Sequence, residues 1–167
     1  MSLAHATLTD GAHAPAARAP LYTPEQRARR DATRWTVVQG VLAPLQFVVC
    51  VVSVGLIVRA LLTGEGMGLA NASVILKTAL LLAIMVTGSV WEKVVFGRWL
   101  FAPAFFWEDV VSMGVIALHL AYVAALLGGW LAPTELLWLA LAAYAAYVVN
   151  AAQFLWKLRM ARLDAAR

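Results

Sequence analysis

Four long apolar stretches constrain the fold of this chain more than any other feature of its sequence. They run approximately over residues 37–62, 70–91, 110–130 and 133–156, and each is near the roughly 20 residues that a helix needs to cross the hydrocarbon core of a bilayer. Because 63% of the residues are hydrophobic and only 13% are charged, the chain has too little polar surface to cover a water-soluble globule. The sequence therefore predicts an all-α integral membrane protein with four transmembrane helices in a compact bundle.

The connections between these stretches are too short for another domain, so residues 36–158 are predicted to form one four-span membrane domain. A transmembrane β-barrel is the poorer alternative, because unbroken runs of Leu, Ala and Val lack the alternation of barrel strands. Residues 1–20 are rich in Ala and Pro and are predicted to be a disordered tail. Residues 159–167 are predicted to be a basic tail.

The segment 21–35 carries the signals of a short basic helix lying on the membrane surface. Thr23 suits the N-cap and Pro24 the first helical position. The arginines that follow would face anionic lipid headgroups.

The distribution of cations predicts the orientation of the chain. The N-terminal arm, the connection with Lys93 and Arg98 and the C-terminal tail hold nearly all of them, whereas the connection before Pro133 has none. By the positive-inside rule, both termini and the central connection are cytoplasmic. The formal net charge of +4 follows from this topology and does not indicate a nucleic-acid partner. The single cysteine, Cys50, excludes an intrachain disulfide or thiolate metal cluster.

Polar groups inside the third apolar stretch follow a helical spacing. Glu108, Ser112, Val115 and His119 lie at i, i+4, i+7 and i+11, so a carboxyl, a hydroxyl and an imidazole share one face. Polar groups in lipid mark either helix contacts or a functional cavity. Glu108 and the adjacent Asp109 could also be solvated acids at the start of a helix, and His119 could make a structural hydrogen bond.

Glu92 ends the second stretch at the same predicted level as Glu108. If the two helices are antiparallel neighbours, their carboxyl groups could share one pocket and act as a proton donor. The alternative is a surface Glu92 paired with Lys93 or Arg98. Lys77, near the other end of this span, is expected to extend to the opposite membrane surface.

Amide and aromatic side chains complete the set of candidates. Gln46 on the first span and Asn150 on the fourth could pin helices together or line a polar slot. Phe105 and Trp107 belong to an aromatic run that could anchor the chain at the interface or hold a flat conjugated ligand. These patterns alone do not name a reaction.

Four longer segments of the sequence are more specific. They are LYTPEQRARRD, WTVVQGVLAPLQF, MVTGSVWEKVVFGRWLFAPAFFWEDVVSM and AYVVNAAQFLWKLR, in this order. Together they closely resemble the family of 2-vinyl bacteriochlorophyllide hydratases of bacteriochlorophyll biosynthesis. The resemblance covers nearly everything after Pro20.

The resemblance implies hydration of the vinyl group on ring A of a magnesium chlorin, either chlorophyllide a or 3-vinyl bacteriochlorophyllide a, to a 1-hydroxyethyl group. It implies no redox cofactor, because hydration changes no overall oxidation state. Such a reaction needs a proton donor and a group that activates water. We assign Glu108 as the donor, with Asp109 or Glu92 orienting the water.

The same resemblance suggests how the chlorin is held. His119 could ligate its magnesium, bond a substrate carbonyl or relay protons, and Arg98 or Arg34 could meet its propionate. The residues expected to contact the substrate are His119, Ser112, Arg98, Phe105, Trp107, Gln46 and Asn150. The expected location is the bacterial inner or intracytoplasmic photosynthetic membrane, with lipid and neighbouring pathway enzymes as partners. A non-catalytic pigment carrier is the main alternative, and a small transporter is the third.

Overall fold

The computed structural model describes residues 20–165, and within that range it is all-helical with no strand. The predicted disordered tail lies outside the described residues except for Pro20. Five helices follow one another: α1 (Pro24–Ala32), α2 (Arg34–Thr63), α3 (Met67–Phe96), α4 (Phe106–Gly128) and α5 (Pro133–Ala165). Helices α2 to α5 are each long and apolar enough to cross a membrane, which confirms the four predicted spans.

Local sequence signals explain where the helices begin and end. The Thr23 side chain accepts a hydrogen bond from the backbone N–H of Gln26, whose own side chain bonds back to Thr23, and Pro24 opens α1. Both predicted signals for α1 are therefore confirmed. Helices α2 and α3 end at Gly64 and Gly97, whose φ angles of 73° and 81° lie in the left-handed region that glycine adopts without strain.

Helix α5 is longer than its apolar stretch. It continues without a break past the predicted end of the span at residue 156 and reaches Ala165. Most of the predicted basic tail is therefore a continuation of the last helix. This difference has a simple cause, since Lys, Leu, Arg and Met favour a helix even where hydropathy falls.

The long helices associate as two pairs. Helix α2 packs mainly on α3, and α4 packs mainly on α5, with further contacts of α3 to α4 and of α5 to both α2 and α3. Hydrogen bonds tie the first pair together, from Gln39 Nε2 to Thr87 Oγ1 at 2.8 Å and between Ser53 Oγ and Ser73 Oγ at 2.6 Å. Apolar side chains such as Ile57 and Leu137 are fully buried between the pairs. The loop joining α3 to α4 therefore connects the two pairs at one end.

Candidate active site

The loop of residues 97–105 folds over carboxyl groups at the end of α3 and the start of α4. Within the described residues, Phe101 is the non-glycine residue with a positive φ, 57°, a conformation that costs an L-residue about 1–3 kcal/mol. In this loop the N–H of Phe101 donates to Asp109 Oδ2 at 2.8 Å, and that of Ala102 donates to Glu92 Oε2 at 3.1 Å. These two hydrogen bonds offset the backbone strain, so the loop and the two acids hold each other in place.

Glu92 and Asp109 lie next to each other under this loop. Their exposed fractions are 5% and 4%. No Lys or Arg side chain in the described part of the chain forms an ion pair with either acid. The surface pairing of Glu92 with Lys93 or Arg98 is therefore not formed. Glu92 of α3 meets an acid of α4, but that acid is Asp109 and not Glu108, with which it was predicted to share a pocket.

Glu108 has a different environment, although it precedes Asp109 directly. Its Oε2 is 2.5 Å from the ammonium of Lys157, which also donates to the carbonyl oxygen of Ala104 at 2.5 Å. Glu108 is itself buried. This ion pair joins the start of α4 to α5. We call Glu92, Glu108, Asp109 and Lys157 the acid cluster.

The predicted polar residues Ser112 and Asn150 lie next to the acid cluster, Ser112 one turn after Glu108 on α4 and Asn150 about two turns before Lys157 on α5. Ser112 Oγ contacts Asn150 Oδ1 at 3.1 Å, and Asn150 Nδ2 donates to the carbonyl oxygen of Glu108 at 3.0 Å. Ser112 Oγ also donates to that carbonyl at 2.8 Å. These bonds join α4 to α5 and fix the backbone that carries Glu108.

An aromatic wall covers the acid cluster on the side of α1. Phe105 is 3% exposed and stacks on Phe154, with ring centroids 5.8 Å apart, while Tyr22 stacks on Phe96 at 5.8 Å and contacts Phe105 at 6.4 Å. Burial raises the pKa of the Tyr22 phenol, and the nearby Arg30 guanidinium partly opposes this rise. The segment before α1 is thereby anchored against the loop.

Two other predicted substrate contacts lie at the surface. Trp107 is 70% exposed, and Arg98 is also exposed. Neither forms an ion pair or a hydrogen bond with the acid cluster. Both side chains therefore lie on the outside of the bundle.

Gln46 lies in a second polar group, deep between the helices. Its Oε1 accepts a hydrogen bond of 2.6 Å from Lys77 Nζ, and this ammonium lies 3.7 Å from the centroid of the Tyr147 ring. Lys77 has no exposed surface. The expectation that Lys77 extends to the membrane surface is therefore wrong, because an amide and an aromatic face give the ammonium partners in the interior.

His119 belongs to the same interior region. It is fully buried, its Nδ1 lies 2.8 Å from the carbonyl oxygen of Val115, and its ring lies 5.7 Å from that of Tyr144. Its Nε2 has no hydrogen-bond partner among the described residues. His119 shares a helix face with Glu108, as predicted, but it lies eleven residues away, about 16 Å along the axis. We call Gln46, Lys77, His119, Tyr144 and Tyr147 the interior cluster.

Sequence reasoning missed the two lysines that matter most here. Lys157 follows Asn150 and Gln153 at helical spacing on one face of α5, and this spacing is the signal that could have found it. Lys77 was visible as a charge within a span, but its partners come from other helices. Within residues 20–165, no group of three or more His, Cys, Asp or Glu side chains is arranged to hold a metal ion.

Comparisons with known proteins identify the family. A family model described as 2-vinyl bacteriochlorophyllide hydratase matches residues 22–160. A protein of that name from Cereibacter sphaeroides is 68% identical over 145 residues, covering 86% of this chain and 89% of the relative. Another from Rhodobacter capsulatus is 64% identical over 150 residues, covering 89% of this chain and 86% of the relative.

No solved structure matches the chain. The family match covers the described helices from the aromatic wall into α5, including every member of the acid cluster and of the interior cluster. The chain therefore belongs to the 2-vinyl bacteriochlorophyllide hydratase family and is a hydratase, an enzyme that adds water to its substrate.

Proposed function

We propose that this enzyme adds water to the vinyl group on ring A of a magnesium chlorin, chlorophyllide a or 3-vinyl bacteriochlorophyllide a, and forms a 1-hydroxyethyl group. The names of the relatives support a substrate of the bacteriochlorophyllide type. The observation that carries the proposal is the contact between two buried carboxyl groups, Glu92 and Asp109, with no cation paired to either in the described residues.

Hydration of this alkene begins with a proton. When a proton adds to the terminal vinyl carbon, the positive charge develops on the inner carbon, where the conjugated macrocycle delocalises it. Water then attacks the inner carbon and gives up one proton. The proton lost by the water replaces the one donated, so the reaction consumes one water and changes no overall oxidation state.

The acid cluster provides groups for both halves of this sequence. Two adjacent buried carboxylates repel each other, and one shared proton removes that repulsion, so the Glu92 and Asp109 pair is the proposed proton donor. Glu108 is the proposed acceptor that orients the attacking water, because its hydrogen-bonded ion pair with Lys157 holds the carboxyl group in place between α4 and α5. The sequence suggested the opposite assignment, with Glu108 as the donor and Asp109 or Glu92 orienting the water.

The remaining candidates have proposed roles in binding. The unpartnered Nε2 of His119 is the atom that ligation of the chlorin magnesium would require. Arg98 and Trp107 are exposed and could meet the propionate and the ring plane. Gln46 supports the interior beside His119 through its bond to Lys77.

The location of the reaction is also a proposal. The cation distribution supports an acid cluster at the cytoplasmic side, with α1 on the membrane surface and both termini cytoplasmic. The membrane would be the bacterial inner or intracytoplasmic photosynthetic membrane. There the chlorin arrives through the lipid, and neighbouring pathway enzymes can exchange it.

The test is a hydration assay in water enriched in heavy oxygen. Membranes containing the protein are incubated with chlorophyllide a, and the pigment is followed by absorption and mass. We expect the gain of one labelled water. For Glu92→Gln we expect the rate to fall by about 10²–10⁴, the usual contribution of a general acid.

Glu65→Gln is the matched control, because Glu65 lies in the turn between α2 and α3 with its side chain 77% exposed. Its rate should equal that of the wild type. If the wild-type membranes bound the pigment but returned it unchanged, while the Cereibacter sphaeroides relative converted it, the pigment-carrier alternative would replace the hydratase proposal.

A further inference from the structure

The two carboxyl groups of the proposed proton donor lie at opposite kinds of helix end. Asp109 is in the first turn of α4, whereas Glu92 lies near the carboxyl end of α3, which finishes at Phe96. A helix carries a partial positive charge at its amino end and a partial negative charge at its carboxyl end. The backbone of α4 therefore favours a charged Asp109, while the backbone of α3 disfavours a charged Glu92.

Burial and the loop of residues 97–105 do not reverse this preference. The two side chains are almost equally buried, so the loss of hydration is similar for both. Each acid also receives one backbone N–H of the loop, from Phe101 to Asp109 Oδ2 and from Ala102 to Glu92 Oε2. The position of each acid on its helix is thus the difference that remains.

The ammonium of Lys157 lies on the Asp109 side of the pair. It binds Glu108, the residue before Asp109, and its positive charge acts on Asp109 and opposes the repulsion from Glu108. Glu92 faces the negative charge of Asp109 and has no cation paired with it in the part of the chain that the structure describes. A negative charge is therefore better compensated on Asp109 than on Glu92.

The hydrogen bond from the loop to Glu92 is compatible with a protonated carboxyl group. Such a group carries its proton on one oxygen and keeps the other as an acceptor. Glu92 Oε2 can continue to accept from the N–H of Ala102, and Oε1 can carry the proton. A charged Asp109, which accepts from Phe101 through Oδ2, then still has Oδ1 to accept a second hydrogen bond.

We infer that the shared proton resides on Glu92 and that Asp109 stays charged and accepts a hydrogen bond from it. The inference rests on the proposed function and divides its proton donor into a catalytic acid, Glu92, and a positioning residue, Asp109. In the reaction the O–H bond of Glu92 breaks, and the electron pair of the vinyl double bond forms the new C–H bond at the terminal carbon. The Glu92 carboxylate then faces a charged Asp109, and this repulsion favours the return of one proton as the attacking water releases one.

The test is the infrared carbonyl stretch of a protonated carboxyl group, recorded on the full chain in an ester-free detergent without substrate. At neutral pH the exposed acids are ionised and do not contribute. The protein is made in two forms, with heavy carbon in the side-chain carboxyl groups of either glutamate or aspartate. We expect the band to move to lower frequency with labelled glutamate and to stay in place with labelled aspartate.

Variants assign the band to a residue and test the role of its partner. Glu92→Gln should remove the band, whereas the matched control Glu65→Gln, at an exposed site, should keep it. Asp109→Asn should also lose the band, because its amide donates to Glu92 and favours the charged form. If Asp109 had a structural role only, the Glu92 band would stay in place in this variant.

A band that moves with labelled aspartate would overturn the inference, and so would a wild-type spectrum without the band. The labels are read on the wild-type chain, so this result does not depend on how well a variant folds. The spectra also need no turnover. If the band belongs to Glu92 while labelled water never enters a vinyl substrate, the proton placement holds and the hydration proposal fails. If hydration proceeds while the band follows labelled aspartate, the proton placement alone fails.

Discussion

The acid cluster and the interior cluster both bury charge in a largely apolar chain, but they compensate it in opposite ways. In the acid cluster, negative groups receive backbone N–H donors from the loop and one ammonium, that of Lys157. In the interior cluster, the ammonium of Lys77 has an amide oxygen and an aromatic face, and no carboxylate of the described residues pairs with it.

This difference separates carboxyl groups that have an ammonium partner from an ammonium that has only neutral partners. Removing one member of a buried ion pair leaves the other charge unpaired, whereas removing a buried charge that has only neutral partners also removes its desolvation cost. The same substitution, lysine to methionine, should therefore have very different effects in the two clusters.

The largest effect is expected for Lys157→Met. It leaves the Glu108 carboxylate buried without its cation, which costs about 3–5 kcal/mol in the free energy of unfolding. Denaturation in mixed micelles measures this loss, and the hydration assay should show little remaining activity. Adding Glu108→Gln to the variant should restore most of the stability without restoring activity, and a single variant as stable as wild type would contradict the role of the pair.

Asp109→Asn should come next, acting on the reaction more than on the fold. The amide keeps an oxygen for the N–H of Phe101 and can donate to Glu92, so unfolding should change by no more than about 1 kcal/mol. The hydration rate should fall by about 10²–10⁴, because the shared proton is lost. A rate near that of wild type, at equal protein content in the membrane, would exclude Asp109 from the proton donor.

A smaller effect is expected for Tyr144→Phe in the interior cluster. The Tyr144 hydroxyl lies 2.7 Å from Ser53 Oγ, and losing this hydrogen bond should cost about 0.5–1.5 kcal/mol. Ser53 keeps its partner Ser73, so the loss stays local. The midpoint of denaturation should shift while the hydration rate per folded molecule does not, and a large drop in that rate would show that the Tyr144 hydroxyl takes part in the reaction.

The smallest effect is expected for Lys77→Met. The side chain is replaced by an apolar one of similar length, and the lost bond to Gln46 is offset by removing a buried ammonium. Stability should stay within about 1 kcal/mol of wild type in either direction. A loss as large as that for Lys157→Met, in the same denaturation experiment, would erase the distinction between the clusters.

The sequence predicted those parts of the structure that local chemistry decides. The four spans follow from hydropathy, and the start of α1 follows from Thr23 and Pro24, because a cap involves only neighbouring residues. The acids were expected to meet, but Asp109 rather than Glu108 is the neighbour of Glu92, since the rotation of α4 decides which carboxyl faces α3. The left-handed backbone of Phe101 has no sequence signal, because phenylalanine does not favour it.

Lys77 shows the limit most clearly. Hydropathy describes how deep a residue lies in a membrane, but not which side of its helix faces a neighbour. Whether a lysine reaches the surface or an interior amide depends on which side of its helix it occupies. The partner of Lys77, Gln46, belongs to another helix. Lys157 was overlooked for the related reason that α5 remains helical beyond its apolar part.

The acid cluster also has a consequence for the order in which the protein matures. Glu92 belongs to the first helix pair and Glu108 to the second, and Lys157 follows Glu108 by 49 residues. A ribosome therefore releases the acids well before their ammonium partner. The cluster is completed only when α5 has been made and the two pairs have joined, so the ion pair of Glu108 with Lys157 forms only in the assembled bundle.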